Sequence, residues 1–278
     1  VLGTPRGRRR SMLLFLLALA DSNASRLLLV RHGETNFNAD GRLQGRLESE
    51  LTENGHAQAA KLGEWIAKEE AEKITAVFVS PKKRTRDTLS EILGKNPNLP
   101  EAEVRDDLRE IELTVWEGQY KADIASGPDA ERWAQWKEHP DGFQFSEDGH
   151  SPLGDLTDRA REEWSELVFA TPKGSTSLVV AHGAFNRVFL LTALGLPVDD
   201  FGFRDEAKWF EFQNCACVEL KWQPGAGHAT AWRMRYPYES VWQTREQELA
   251  RRDKALPHRS ERGNRMHDHK IFGKKDEL

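Results

Sequence analysis

Apolar residues along this chain occur in two alternating patterns, short continuous runs and helical spacings. Three continuous runs, bounded by charged or turn residues, indicate strands buried on both faces: residues 27–30, 74–79 and 177–181. Four segments carry apolar residues every three or four positions, which predicts amphipathic helices: about 52–70, 84–94, 156–168 and 184–194. Two later strands are predicted at 215–222 and 229–236. This alternation predicts an α/β fold with three layers, a mostly parallel central sheet between two layers of helices.

Residues at the ends of these segments predict where the helices begin and stop. Thr52 can cap the first helix, which we expect to run to about Glu70. Gly94 and Gly195 are expected to stop the second and the last helix, since glycine adopts the left-handed conformation that often ends one. No internal repeat and no Pro/Gly-rich linker divides the pattern, so we predict one domain over residues 25–242.

Composition narrows the function classes. The 278 residues are 38% hydrophobic and 31% charged, with a net charge of −5, which argues against broad binding to nucleic acid.

Cys215 and Cys217 lie two apart in a strand-like run and should point to one face. An extended chain separates such residues by about 6.6–7 Å, at or beyond disulfide reach, so we expect two free, buried thiols.

The two ends of the chain carry targeting patterns. A basic run at 6–10 precedes an apolar stretch at 12–20 that is too short to span a bilayer, and small residues follow, which predicts a secretory signal peptide over 1–24. The alternative is a buried first strand or helix. Residues 243–278 are rich in charge, which predicts a solvated helix fading into a disordered tail. The chain ends in Lys-Asp-Glu-Leu, which predicts retrieval to the lumen of the endoplasmic reticulum by a receptor, with no membrane contact in the mature form.

Basic and imidazole side chains follow the three buried strands at the same end. Arg31 and His32 follow the first strand, Arg84 lies shortly after the second, and His182 follows the third. In open α/β sheets ligands bind beyond the carboxyl ends of the strands. If these strands are neighbours, the positive charges converge, which is costly unless an anion balances them. A phosphate fits, because arginine offers a fixed fork of donors and a neutral imidazole offers a nucleophile.

Several ordered motifs resemble those of the histidine phosphatase superfamily, the phosphoglycerate-mutase-like enzymes. The resemblance covers about residues 26–222 and implies a phosphoglycerate-mutase-like fold. The motifs are RHGETNFN at 31–38, GRLQG at 41–45, LTENGHAQA at 51–59, SPKKR at 80–84, LREIELTVWEG at 108–118 and VVAHG at 179–183.

The resemblance implies a role for each matching residue. His32 would attack phosphorus and become phosphohistidine, and Glu110 would act as the general acid and base. The other members of the implied site would hold the phosphate: His182, Arg31, Arg84, Asn38, Gln44, Gly45 and Gly183. This chemistry needs no cofactor and no metal, and the sequence contains no HExxH, CxxC or GxxxxGK[ST] motif.

Other residues near these motifs are open to a simpler interpretation. Glu112 and Glu117 lie close enough to Glu110 to leave the acid role open, although we interpret Glu117 as structural and Glu34 as a loop cap. Three tryptophans could line a substrate pocket, but core packing is favoured for each: Trp133, Trp136 and Trp164.

Within the superfamily, the segment between Glu110 and His182 resembles the phosphatase branches more than the glycolytic mutases. Gly149-His150-Ser151 stands where many relatives have Gly-Glu-Ser. With DGHSPL and QNCACVEL, this segment resembles the plant and algal 2-carboxyarabinitol-1-phosphatase-like proteins, which act in chloroplasts.

We therefore predict a phosphomonoester hydrolase whose partner is a small phosphorylated metabolite, a sugar phosphate or sugar-acid phosphate. The alternatives are a mutase-type phosphotransferase, a non-catalytic phospholigand-binding protein and, for location, a plastid reached by the secretory route.

Overall fold

A single mixed sheet carries the fold. The structure, a computed structural model, describes residues 23–198, 212–237, 243–244 and 246–247, so the terminal tetrapeptide and all of the predicted signal peptide except its last two residues lie outside the described residues. The strands are β1 (Ser25–Arg31), β2 (Ile74–Val79), β3 (Ala102–Val104), β4 (Thr176–Ala181), β5 (Cys217–Trp222), β6 (Ala231–Tyr236) and β7 (Gln243–Thr244). Their order across the sheet is β3-β2-β4-β1-β5-β6-β7.

The parallel part of the sheet is the part that the apolar runs predicted. β1, β2, β3 and β4 pair in parallel, whereas β5, β6 and β7 continue the sheet in antiparallel pairings from β1. The predicted three-layer α/β architecture is confirmed, with the parallel strands in the centre and a mixed edge. β3 and β7 were not predicted, because three and two residues are too few to show a periodicity. β7 also places the end of the sheet two residues beyond the predicted boundary at 242.

Helices cover both faces of this sheet. They are α1 (Asn36–Ala39), α2 (Glu53–Glu69), α3 (Lys83–Lys95), α4 (Lys121–Ser126), α5 (Ala130–Glu138), α6 (Pro152–Ala170) and α7 (Gly183–Ala193). Successive residues of β1 point to opposite faces: Leu28 and Val30 join a core with α2 and α3, while Leu27 and Leu29 join a core with α6 and α7. No described helix combines the length and apolar character that crossing a membrane requires.

The predicted helix ends are right at two positions and wrong at one. The hydroxyl of Thr52 accepts a hydrogen bond from the Gly55 backbone amide, and Gly195 adopts a φ of +63° just after α7, as expected. Gly94 does not stop α3, because its φ is not positive and the helix continues through Lys95. The side chain of Asn96 closes that end instead, donating to the carbonyls of Ile92 and Gly63.

The two cysteines are buried and free, as predicted, but only one lies in a strand. Cys217 begins β5, whereas Cys215 precedes it with a φ of +58°. Burial raises the pKa of the Cys215 thiol to about 12, and it raises that of Cys217 as well. Neither thiol is therefore ionised near neutral pH.

A buried network of charges ties β1, β5 and β6 together. Glu219, fully buried on β5, accepts from Arg26 at 2.8 Å, Arg233 at 2.8 Å and Arg235 at 2.7 Å. Glu70, at the end of α2, pairs with Arg26 at 3.2 Å and Arg235 at 2.7 Å. Burial by itself would raise the pKa of Glu219, but the neighbouring guanidinium groups hold it below the ordinary value.

The substitution Glu219→Gln should destabilise the protein by about 3 kcal/mol, because it leaves three guanidinium groups facing one fewer negative charge. Urea unfolding at neutral pH measures this loss. Because the folded-state pKa of Glu219 is depressed, its contribution is present above the ordinary glutamate pKa and disappears as pH falls through the folded-state value. Glu64→Gln, which removes an exposed partner of Lys95, is the control and should change stability by less than about 0.5 kcal/mol. Equal effects of the two substitutions would contradict this account.

Candidate active site

His32 is placed by a close approach between the end of β1 and the start of α2. Its backbone amide donates to Ala181 of β4 at 3.1 Å, which joins the two strands where the imidazole begins. The next residue, Gly33, donates its amide to the Thr88 hydroxyl. A Cβ on Gly33 would lie 2.6 Å from the carbonyl oxygen of Gly55, so only glycine lets the chain turn here.

The hydrogen bonds of His32 fix its tautomer. Nδ1 lies 2.7 Å from the carbonyl oxygen of Gly33, and because a carbonyl can only accept, Nδ1 carries the proton. In the neutral ring Nε2 then holds a lone pair. Burial, Arg84 and Arg31 each lower the pKa of His32 well below its ordinary value. The ring is therefore neutral near neutral pH, which is the state that a nucleophile requires.

His182 lies opposite, with its ring centroid 5.4 Å from that of His32. Its Nδ1 accepts a hydrogen bond from Nε of Arg84 at 3.1 Å, so Nε2 of the neutral ring donates to the Ser80 hydroxyl at 2.7 Å. Burial, Arg84 and His32 lower its pKa well below the ordinary value. Both ring nitrogens thus contact protein atoms, and His182 orients Arg84. A direct contact from His182 to a phosphoryl oxygen stays a prediction.

Arg84 is fully buried and held at three points. Besides His182, its guanidinium donates to the carbonyls of Leu47 at 2.7 Å and Gly45 at 2.8 Å. Gly45 has a φ of +50°, and a Cβ there would lie 2.0 Å from a carboxylate oxygen of Glu117. That oxygen accepts from the amides of Leu113 and Arg46, so Glu117 supports this loop, as the sequence indicated.

Asn38 belongs to a small polar network at the start of α1. Its Oδ1 accepts from the Thr35 hydroxyl at 3.1 Å and from Nδ2 of Asn214 at 3.2 Å. Asn214 also donates to the His32 carbonyl at 3.1 Å. Asn214 was not predicted, since its only signal in the sequence is a position just before a predicted strand.

Glu110 lies at the N-terminus of α7. One carboxylate oxygen accepts from the amides of Ile111 and Phe185, both at 2.9 Å, and the other accepts from Ala184 at 3.1 Å. Backbone amides at a helix N-terminus suit a negative charge, so this arrangement holds the carboxylate beside Gly183. Glu112 pairs with Arg46 at 2.8 Å, and Glu34 accepts from the Thr52 hydroxyl, as expected of a loop cap. Among the acidic residues considered from the sequence, Glu110 is the one that lines the adjoining cleft, and its acid–base role stays a prediction.

These residues surround a cleft of about 230 Å³. Six of the predicted site residues line it: Arg31, Asn38, Gln44, Gly45, Glu110 and Gly183. The other three, His32, Arg84 and His182, are buried and are not among the residues that line it. Gln44 also accepts from the Ser49 hydroxyl at 2.6 Å. A Cβ on Gly183 would lie 3.2 Å from Nε of Arg31, so this glycine lets the arginine pack against α7.

The cleft also contains residues that were not predicted to be there or were predicted to pack only in the core. Arg42, Lys121 and Arg187 add positive charge, and burial together with Arg31 lowers the pKa of Lys121. Trp133 and Trp136 pack in the core, as expected, and also line the cleft. Trp164 packs in the core alone and donates its indole N–H to Gly227. No group of three or more described His, Cys, Asp or Glu residues is arranged to hold a metal ion.

Comparisons with known proteins agree with the motifs. Residues 27–235 match the model of the histidine phosphatase superfamily, branch 1. The chain is 34% identical over 209 residues to 2-carboxy-D-arabinitol-1-phosphatase of Triticum aestivum, which covers 74% of this chain but only 39% of that relative. It is 33% identical to the probable phosphoglycerate mutase GpmB of Serratia proteamaculans, over 73% of this chain and 88% of the relative.

A solved structure shares the fold. The native mycobacterial glucosyl-3-phosphoglycerate phosphatase Rv2419c superposes with a TM-score of 0.60 and 27% identity. The match covers 76% of this chain and 97% of the other.

The two site histidines should remain uncharged where an exposed histidine gains its proton. Nuclear magnetic resonance of the imidazole groups should show no titration of His32 and His182 as pH falls from about 8 to about 6. Free imidazole in the same buffer provides the reference signal. Because the folded-state pKa values are depressed, protonation favours the unfolded chain, so stability decreases as pH falls below the ordinary value of about 6.5. A midpoint near 6.5 for either buried ring would contradict the depressed pKa values of these histidines.

Proposed function

Because the chain belongs to the histidine phosphatase superfamily, we propose that it is a phosphomonoesterase that works through a phosphohistidine on His32. The observation that carries this proposal is the hydrogen bond from Nδ1 of His32 to Gly33, which leaves Nε2 as a lone-pair donor beside two arginines. The chain spans 39% of the wheat relative, so its activity is inferred from its own site and not from that relative.

The proposed reaction has two displacements at phosphorus. In the first, Nε2 of His32 forms an N–P bond, the ester P–O bond breaks, and the carboxyl group of Glu110 gives its proton to the leaving oxygen. In the second, Glu110 takes a proton from water, the water oxygen attacks phosphorus, and the N–P bond breaks to release inorganic phosphate. Splitting one hard displacement into two easier ones is the purpose of a covalent intermediate.

Positive charge for the transferring phosphoryl group is supplied by the protein itself. The guanidinium groups of Arg31 and Arg84 are held by backbone carbonyls, Arg31 at Phe212 and Arg84 at Gly45 and Leu47. Donors fixed before the reaction stabilise the developing charge without reorganisation cost. We therefore propose that turnover requires no metal ion.

The substrate class proposed is a small sugar phosphate or sugar-acid phosphate. Two relatives are named for phosphorylated carbohydrate derivatives, the wheat protein and the mycobacterial phosphatase. A cleft of about 230 Å³ suits a small ligand, and its lining combines indole rings of Trp133 and Trp136 with cationic groups such as Lys121. Apolar rings can pack on a sugar, while the cations suit further negative charge.

A mutase-type phosphotransferase is the second candidate, favoured by the resemblance to the Serratia relative. It would use the same phosphohistidine and pass the phosphoryl group to a hydroxyl of a second metabolite in place of water. Release of inorganic phosphate in the absence of any acceptor separates hydrolysis from transfer. Binding of phosphate with no turnover would instead support a non-catalytic phospholigand-binding protein.

Loss of the nucleophile should abolish turnover. With nitrophenyl phosphate and excess chelator, His32→Ala should release phosphate at least about 1,000-fold more slowly than the wild-type chain. His56→Ala, which alters an exposed histidine paired with Glu91, is the matched control and should keep the wild-type rate. Wild-type turnover by His32→Ala would exclude the proposed nucleophile, and inhibition by chelator that a metal ion reverses would exclude the metal-independent mechanism.

The dependence of the reaction rate on the leaving group should identify the proton donor. Glu110→Gln should slow the reaction of an alkyl phosphate by about 100-fold or more, since an alkoxide leaves poorly without a proton. It should slow nitrophenyl phosphate far less, because nitrophenolate is already a stable anion. Glu112→Gln is the control, as that residue pairs with Arg46. Equal slowing of both substrates by Glu110→Gln would make Glu110 a binding residue.

A further inference from the structure

One half-buried arginine outside the cleft contacts the segment that carries Glu110. Arg159, on α6, donates through Nη1 to the carbonyls of Asp107 and Arg109, both at 2.8 Å. Through Nη2 it donates to the carbonyl of Glu110 itself at 3.2 Å. A single planar guanidinium therefore holds three carbonyls within four consecutive residues.

This contact is unusual in its charge balance. Among the described residues, no carboxylate forms an ion pair with Arg159, and its hydrogen bonds go to backbone oxygens. Burial, followed by the nearby charge of Arg46, lowers the pKa of Arg159. Partial desolvation of the guanidinium is costly, and the charges of Glu110 and Asp107 offset that cost only in part, since the net change is a lowered pKa. Apolar packing alone would not require a guanidinium at this position.

The position of the Arg159 guanidinium relative to Glu110 indicates what this contact does. The carboxylate of Glu110 is held by amides of Ala184 and Phe185 on α7, while its backbone carbonyl is held by Arg159 on α6. Leu108, which lies among the residues whose carbonyls accept from Arg159, is fully buried and fixes the same segment to the core. Glu110 is thus fixed at its carboxylate by α7 and at its backbone carbonyl by α6.

We propose that Arg159 is the positioning residue of the acid–base group: it sets the distance from the Glu110 carboxyl to the leaving oxygen. The inference rests on the proposed phosphatase function. Proton transfer requires heavy atoms within hydrogen-bond reach, and a misplacement of about 1 Å can cost about 100-fold in rate. Arg159 touches neither the phosphoryl group nor the leaving group, so its effect must pass through Glu110.

The test compares Arg159→Met with Arg161→Met on the same helix. Arg161 is exposed and pairs with Asp158 at 2.7 Å, so its loss controls for a changed charge on α6. Arg159→Met should reduce kcat for an alkyl phosphate by about 30-fold while changing kcat for nitrophenyl phosphate by less than about 3-fold. The affinity for inorganic phosphate should stay within about 2-fold, because the residues that hold phosphate are untouched.

A double-mutant cycle separates positioning from general structural damage. In the Glu110→Gln background, adding Arg159→Met should change kcat for the alkyl phosphate by less than about 2-fold, because the group that Arg159 positions is already inactive. Damage to the fold would slow both backgrounds by the same factor, and that result would overturn the inference.

A conservative variant keeps the test decisive if Arg159→Met fails to fold. In Arg159→Lys a single ammonium cannot span three carbonyls, so kcat for the alkyl phosphate should fall by about 10-fold with phosphate affinity retained. Wild-type kcat in Arg159→Lys overturns the inference but leaves the proposed function standing. Absence of phosphate release by the wild-type chain on both substrates overturns the proposed function, and the inference with it.

Discussion

The site depends on one electrostatic constraint: positive charge is buried beside two imidazoles that must remain neutral. Arg84 has no exposed surface, and it donates directly to His182 while its charge helps lower the pKa of His32. Backbone carbonyls of Phe212, Gly45 and Leu47 accept hydrogen bonds from these guanidinium groups, and a neutral carbonyl orients a cation without removing its charge. Such a cluster favours an anion and keeps the nucleophile unprotonated at the same time.

Local sequence features follow from that constraint. The glycines at 33 and 45 occur where a side chain would strike a carbonyl or the Glu117 carboxylate, so both loops can pack tightly around the imidazole and the guanidinium. The carboxylate of Glu110 is held by the amides at the start of α7, so backbone atoms fix its position.

Much of this arrangement could be predicted from the sequence, for a definable reason. β1, β4 and β2 are adjacent and parallel, so residues following each strand necessarily meet at one edge, and motifs at 31–33, 80–84 and 182–183 converge. Contacts between side chains on unrelated segments could not be predicted that way. Asn214, Lys121 and Arg187 come from a loop and two helices whose positions depend on packing, and the His182–Arg84 hydrogen bond is set by side-chain orientation. β3 and β7 were missed because periodicity needs more residues than they contain.

The central claim is a double displacement at phosphorus through His32, and the stereochemistry of the reaction tests it most directly. The substrate is a phosphate ester whose phosphorus is made chiral with three oxygen isotopes. The enzyme transfers its phosphoryl group to an alcohol acceptor in place of water, and the configuration at phosphorus in the product is then determined. Two successive in-line displacements each invert phosphorus, so the account predicts overall retention. Inversion would mean that the acceptor attacks the substrate directly, and it would contradict a phosphohistidine intermediate.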